Sequence, residues 1–536
     1  MAGDEASLLL HRGCVRSLLD KRRDGTWIAL RGNRILALGR GLVPRRFRSA
    51  PALDLKGRTV LPAFTDAHAH LLRIGLQQLQ LDLRACAAKE EVLRAVAARA
   101  RALPPGRLIR GFGWDQTAWG EAFPTRRDLD AVAPDHPVYL ERVDAHAVWV
   151  NTRLLEAAGI TTGTPDPPGG AIRRDATGEP TGILLDRARD LLRPHLPDWS
   201  DEERTAALLA GAAACRRVGI TSLHDAALSA ATLRLLHRLL GEGGLRLRVY
   251  AMLHGEGALG EALPLGPQVG LYGGFLTVCA VKLFVDGALG SRGAALLAPY
   301  RDAPGETGLL LMDEEAIARA AGRALAHGFQ VSAHAIGDRA VRETLRAYRR
   351  LREAFPEVGA ARLRVEHAQV VHPADCPAFG DLGLIASIQP SHATSDMRWA
   401  ASRLGPERLP GAYAWRSLRR AGAVLAGGSD APIEALSPLA GVYAAVTRQD
   451  TAGNPPEGFR PQERLTIREA LDLYTRGAAY AAFEEGERGS LRPGALADLT
   501  VLSADPFLAA PKELLEITVD YTILDGAVVY AREGTD

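Results

Sequence analysis

Short apolar, β-branched runs alternate with stretches rich in alanine, arginine and leucine along most of the chain. The runs at 59–65, 220–224, 277–285, 330–334, 363–367, 384–389 and 424–429 read as strands. Asp201–Val218, Glu314–His327 and Arg339–Phe355 read as the helices between them. Strand–helix alternation with short connections predicts a parallel α/β sheet. A closed (β/α)8 TIM-like barrel fits best, because polar residues recur just after the apolar strands, where such barrels carry their chemistry.

Two regions break this rhythm. Both ends of the chain read as strands and turns, as in Trp27-Ile28-Ala29-Leu30 and Arg34–Gly39 near the start. Near the end, Asp498–Leu502 is a strand, and Tyr521–Leu524 with Ala527–Tyr530 reads as a hairpin across Asp525-Gly526. The expectation is a small β-sandwich module made from residues 1–60 and 485–536, with the barrel over 61–484. The other departure, at about 83–192, is rich in proline and glycine, as in Gly111-Phe112-Gly113-Trp114-Asp115 and Pro167-Pro168-Gly169-Gly170. It is expected to be an inserted subdomain capping the barrel mouth, since long insertions in compact domains are usually functional.

Composition narrows the function. Lys plus Arg number 65 against 63 Asp plus Glu, so nothing suggests a nucleic-acid footprint, which needs clustered excess cations. The five cysteines (Cys14, Cys86, Cys215, Cys279, Cys376) are scattered and never paired as C-x-x-C, which argues for reduced thiols. The start of the chain has no basic n-region or apolar core of a signal peptide. The longest uncharged run, between Glu261 and Lys282, is broken by Pro264, Pro267 and several glycines. A soluble, cytoplasmic protein is expected, with a small-molecule substrate, no nucleic acid or membrane partner, and a homodimer as the commonest assembly.

The chemistry concentrates at strand ends. In Asp66-Ala67-His68-Ala69-His70, residues two apart point the same way, so His68 and His70 aim both imidazoles at one place. Neutral imidazole is a common ligand for zinc-like ions. His334 ends Gln330-Val331-Ser332-Ala333, His367 ends Arg364-Val365-Glu366, and Asp430 follows the apolar run Val424–Ser429. Lys282 is embedded in Val278–Val285, where an ammonium is costly unless paired or neutralised. It is either a salt-bridged lysine or one of lowered pKa that adds carbon dioxide to become an anionic oxygen ligand.

This set, in this order, resembles the amidohydrolase superfamily, and more narrowly its family 3 branch of YtcJ-like metal-dependent hydrolases, which includes N-substituted formamide deformylases. The similar blocks run from Val60–His70, through Arg142–Asn151, Lys282–Arg292, Ser332–Asp338, Glu366–Gln369, Gln389–Ala393 and Gly427–Pro432, to Pro493–Asp498. The resemblance implies zinc, as one or two ions. His68, His70 and Asp430 would hold the first and His334 and His367 the second, with a carbamylated Lys282 between them. Asp430 would also serve as the base, taking a proton from the attacking water and passing it to the leaving amine.

The reaction so implied is cleavage of an amide-type C–N bond, of an N-formyl or N-acyl amine. The alternatives are a cyclic amidase of the hydantoinase or imidazolonepropionase kind, and a non-catalytic relative. Around the metal, His146 is a candidate to polarise the substrate carbonyl, or else a histidine bonded within the insertion beside Asp144. His224 and His392 are candidate pocket residues. Arg292 would pair either a substrate carboxylate or a structural partner. Trp114, with Trp119 and Trp149, would form either an apolar substrate wall or simple core.

Overall fold

The computed structural model describes residues 5–20, 22, 24–120, 122–142, 147–167, 170–354 and 360–535, with the side chains of 117 and 118 excepted. The chain divides into two compact units, Ile74–Ala210 and the remainder on either side of it.

The larger unit holds eight parallel strands: β1 (Phe64–Ala69), β2 (Ile220–Leu228), β3 (Arg248–Leu253), β4 (Leu276–Phe284), β5 (Gln330–Ala335), β6 (Arg364–His367), β7 (Ile385–Ile388) and β8 (Val424–Gly427). They pair in chain order from β1 to β8. The ring closes just beyond β8, where the Asp430 N–H donates to the His68 carbonyl at 2.7 Å and the His70 N–H donates to the Ala431 carbonyl at 3.0 Å. Nearly every residue of these strands is buried, as expected where one face lines the barrel and the other packs on helices. The predicted helices form at Asp201–Arg217, Glu314–Ala326 and Asp338–Ala354, with Phe355 outside the described residues. The second of them is capped by Asp313, whose side chain accepts the Ala316 N–H at 2.8 Å.

Two departures from the expected strands have physical causes. The run 59–65 is not one strand but two, Thr59–Pro62 and β1, divided at Ala63. The Ala63 N–H donates to the Asp498 carbonyl and the Phe64 N–H to that of Gly219, so the chain changes sheets at one residue, just after a proline that has no N–H to give. The eighth barrel strand, β3, follows the turn at Gly243-Gly244 and lies outside the seven predicted runs. Its Arg248 is buried against Asp498 and Asp525.

The two chain ends build a single eight-stranded sheet. Its main path is Ala527–Ala531, Val519–Leu524, Leu499–Leu502, Thr59–Pro62, Leu8–Val15, Gly25–Arg31 and Arg34–Gly39, with Ala52–Asp54 added beside Leu8–Val15. Leu10, Ile28, Val60, Leu499, Val501 and Ile523 form its core. The predicted hairpin is present, and Asp525 and Gly526 take φ of 56° and 77°, the left-handed pair a tight two-residue turn requires.

Ile74–Ala210 has its own six-stranded sheet, ordered Gly170–Arg174, Pro180–Asp186, Ala147–Val150, Val138–Arg142, Ile109–Trp114 and Leu81–Asp82. Trp114, Trp149, Leu140, Val92 and Val96 are in its core. His146 and Asp144 lie outside the described residues. Among those described, all five cysteines are free, and no helix is long and apolar enough to cross a membrane.

Candidate metal centre

The last turn of β1 is locked to the end of β8 by Asp66. This buried carboxylate accepts the His68 N–H at 3.1 Å, the Ser429 N–H at 3.0 Å and the Ser429 hydroxyl at 2.5 Å. Burial pushes its pKa up to about 6, against the pull of those donors. A side chain at Gly428 would sit 2.5 Å from the His68 nitrogen, so the close approach of the two strands needs glycine there.

Closure brings together residues far apart in sequence. His68, His367 and Asp430, all buried, each offer a ligand atom, and these atoms lie within 4.8 Å of one another. The His70 Nε2 is 3.0 Å from Asp430 Oδ1. The His334 and His367 rings are 4.6 Å apart, and those of His68 and His367 are 4.7 Å apart. Lys282 reaches in from β4 with its Nζ 3.3 Å from His68 Nε2. His367 and Asp430 have φ of 73° and 57°, left-handed backbone that turns each side chain inward at its strand end. Such conformations cost about 1–3 kcal/mol each and collect at functional sites.

The electrostatics suit a cation. Burial lowers the Lys282 pKa to about 8, against the opposing pull of Glu366 and Asp430. Burial, and then Lys282, lowers that of His68 to about 4 against Glu366, and burial holds His367 well below its ordinary value. Both imidazoles are therefore neutral at pH 7, with lone pairs to give. Burial opposes ionisation of Asp430, but the His70 hydrogen bond and the nearby His68, His367 and His392 outweigh it and hold the carboxyl well below the usual range. Two neutral imidazoles and a carboxylate, with further imidazoles beside them, fit a divalent ion of the zinc type.

His68 and His367 are braced from behind. His68 Nδ1 lies 2.5 Å from Glu366 Oε2, and His367 Nδ1 lies 2.7 Å from Gln389 Oε1. His334 Nε2 lies 3.4 Å from Asp286 without a hydrogen bond to it, and that carboxylate accepts the N–H groups of Ala295, Ile336 and Gly337. Glu366 is itself paired with Arg364, its neighbour two positions back.

A cavity of about 330 Å³ is lined by His68, His70, Lys282, His334, His367 and Asp430 together. Its remaining wall includes the apolar Phe284, Leu289, Ile336 and Trp399, with Gln369, His392 and Asp396 among the polar groups. His392 stacks on His367 at 5.9 Å, and its Nε2 is 3.6 Å from Asp430 Oδ2.

Three other candidates are placed elsewhere. His224 faces the barrel interior, its Nδ1 3.1 Å from Arg364 and its ring 4.8 Å from Tyr250, because β2 runs on to Leu228 and leaves it in mid-strand. Arg292 pairs with Asp302 at 3.1 Å. Trp114 is fully buried within Ile74–Ala210, its indole N–H donating to the Leu140 carbonyl at 2.9 Å. Arg364, Glu366, Gln389 and Asp286 are functional neighbours that the sequence reading passed over. Two opposite charges two apart in a buried strand were the available signal at Arg364 and Glu366, the same argument that singled out Lys282.

Comparison with known proteins agrees with this geometry. The sequence profile of the Amidohydrolase family matches residues 52–530. The chain is 36% identical to the putative amidohydrolase YtcJ of Bacillus subtilis over 90% of each chain. It is 30% identical to the N-substituted formamide deformylase of Arthrobacter pascens, over 98% of this chain and 99% of that one. The structure of an uncharacterized metal-dependent hydrolase from Pyrococcus horikoshii superposes with a TM-score of 0.77 at 29% identity, covering 94% of this chain and 99% of the other. With its ligand-bearing strand ends, its barrel and these matches all in agreement, the chain belongs to the amidohydrolase family.

Proposed function

We propose that this amidohydrolase cleaves the C–N bond of a linear amide, an N-formyl or N-acyl amine, using zinc held by His68, His70, His334, His367 and Asp430, with Lys282 carbamylated beside them. The observation that carries the reading is the position of Asp430. Its carboxylate is ionised, held by His70, and placed in the cavity wall among imidazoles whose lone pairs are free. The likeness to an N-substituted formamide deformylase supports a linear amide over a ring.

When bound, the ion would polarise the carbonyl and make water acidic enough to attack near neutral pH. Asp430 takes the proton from the attacking water as its oxygen adds to the carbonyl carbon. The same carboxyl then gives that proton to the nitrogen as the C–N bond breaks, so the products are a free amine and a carboxylic acid, formate in the simplest case. His70, whose Nε2 lies 3.0 Å from Asp430 Oδ1, stands beside that carboxylate and would share the ion with it. Phe284, Leu289, Ile336 and Trp399 offer an apolar wall for the substituent and limit water around the reacting carbon.

The test is amine release from a panel of N-formyl, N-acetyl and longer N-acyl amines by zinc-loaded protein, with chelator-treated protein as control. Chelator-sensitive release from one class is the expected result. Absence of release from every member, by protein shown to contain zinc, overturns the linear-amide reading.

A further inference from the structure

Arg364 and Glu366 carry opposite charges into the barrel interior from adjacent inward positions of β6, and neither has any exposed surface. The Arg364 Nε donates to Glu366 Oε1 at 2.6 Å. Its Nη2 donates to the Ala67 carbonyl at 2.8 Å and the Ser387 hydroxyl at 3.2 Å, and its Nη1 to His224 Nδ1 at 3.1 Å. A guanidinium only donates, so His224 must accept at Nδ1 and carry its proton on Nε2. The arginine is thus held on three sides, and its remaining direction is spent on Glu366.

The second oxygen of Glu366 is 2.5 Å from His68 Nδ1. A carboxylate paired with arginine only accepts, so the hydrogen of that bond belongs to Nδ1. From the opposite edge of the ring, Lys282 Nζ lies 3.3 Å from Nε2 and has hydrogens to donate. Both neighbours therefore select one tautomer, with the proton on Nδ1 and the lone pair on Nε2. That lone pair is on the side of Asp430, whose Oδ1 is 3.7 Å from Nε2.

We propose that Arg364 and Glu366 are positioning residues that fix the tautomer and orientation of His68, so that Nε2 is always available as a metal ligand. This rests on the metal-centre part of the function proposed above and not on the amide substrate.

The arrangement predicts an unusual order of variants. In Glu366→Gln the side-chain oxygen is the only group that can face the Arg364 donor. The amide nitrogen is then left against His68 Nδ1 as a donor, which moves the ring proton to Nε2 and removes the ligand lone pair. Glu366→Asp is shorter, yet it keeps two acceptors between Arg364 and His68. A packing role would make the isosteric glutamine the milder change, whereas a tautomer role makes it the harsher one.

The experiment is zinc binding to metal-free protein in competition with a chromophoric chelator, with thermal melting of the metal-free variants as the check on folding. Glu366→Gln is expected to melt lower than the parent, because the buried Arg364 loses its counter-charge, and once folded to bind zinc about 10- to 100-fold more weakly, the usual effect of losing such a partner. Glu366→Asp is expected to bind more tightly than the glutamine variant. A folded Glu366→Gln that binds zinc as tightly as the parent, or more tightly than Glu366→Asp, overturns the proposal. A glutamine variant that does not fold leaves a direct measurement on the parent, 15N NMR of the histidine-labelled metal-free protein with His68 assigned from His68→Asn. Protonation of His68 at Nδ1 supports the proposal and protonation at Nε2 overturns it. Protein that shows the expected variant order but releases no amine from the panel would remove the substrate reading and leave this inference standing.

Discussion

The backbone N–H of Asp430 donates to the carbonyl oxygen of His68 at 2.7 Å, so the bond that closes the barrel also sets the last ligand against the first. Barrel closure and site assembly are therefore one event. A change that loosens the β1–β8 seam would be felt at the metal before it is felt in the helices.

Asp430→Asn tests the base without disturbing that seam. Asparagine tolerates the left-handed backbone at this position, has the same size, and can still accept from His70. It has no charge and cannot carry the proton. Turnover is expected to fall at least about a hundredfold, with the melting temperature of the metal-free protein unchanged. Near-normal turnover by the folded variant would remove Asp430 from the base role.

Lys282 gives the pH dependence. Carbamylation requires the neutral amine, whose nitrogen adds to carbon dioxide and loses a proton. Burial lowers the lysine pKa to about 8, against Glu366 and Asp430, so the neutral fraction grows as pH rises through that value and shrinks below it. Zinc loading of chelator-treated protein should thus be assisted by bicarbonate, and be faster at about pH 9 than at about pH 6. Lys282→Met should lose the bicarbonate response. Loading of the parent protein at a rate indifferent to bicarbonate would contradict the carbamate.

Gly337→Ala probes how the cavity wall is held. A side chain there would meet the Ala295 carbonyl oxygen at 2.0 Å, and that contact is backbone. The Gly337 N–H donates to Asp286 at 2.8 Å, and Asp286 also holds Ala295 at 2.9 Å. The segment so pinned supplies Leu289 and Gly290 to the cavity. The variant should lose about 1–3 kcal/mol in urea unfolding, and its KM should rise. An unfolding midpoint and KM equal to the parent's would show that the segment is not held this way.

Trp114 and Arg292 should behave as structural residues. Trp114 is enclosed by Trp119, Phe123 and Trp149, at ring separations of 6.0–6.4 Å. Trp114→Ala should cost about 3–5 kcal/mol and open Ile74–Ala210 to limited proteolysis. Arg292→Ala breaks an exposed pair with Asp302 and should leave both kinetic constants as they were. A large rise in KM for Arg292→Ala would return it to the substrate.

The six candidate ligand positions stand out in the sequence because each comes at the end of a candidate strand or, for Lys282, puts a charge inside an apolar one. His224 follows the same local pattern and is nevertheless placed against Arg364, since its strand continues four residues further, to Leu228. Where a strand ends depends on pairing with its neighbours, and a single run does not contain that information. Arg248, Arg364 and Glu366 carry charge into buried strands. What makes them fit is partners drawn from other strands, such as Asp498 for Arg248 and His68 for Glu366.

The sequence by itself determined the alternating elements, the small sheet-forming ends, and the residue types able to bind a metal, because these follow from local periodicity and side-chain chemistry. Only the tertiary structure decided which of those groups meet. Glu366 and His367 are consecutive and ought to face opposite ways, yet both lie against His68, with φ of 73° at His367. That turn, the seam between His68 and Asp430, and the proton assignment of His68 all depend on distances between strands. Such distances come into being only when the barrel closes.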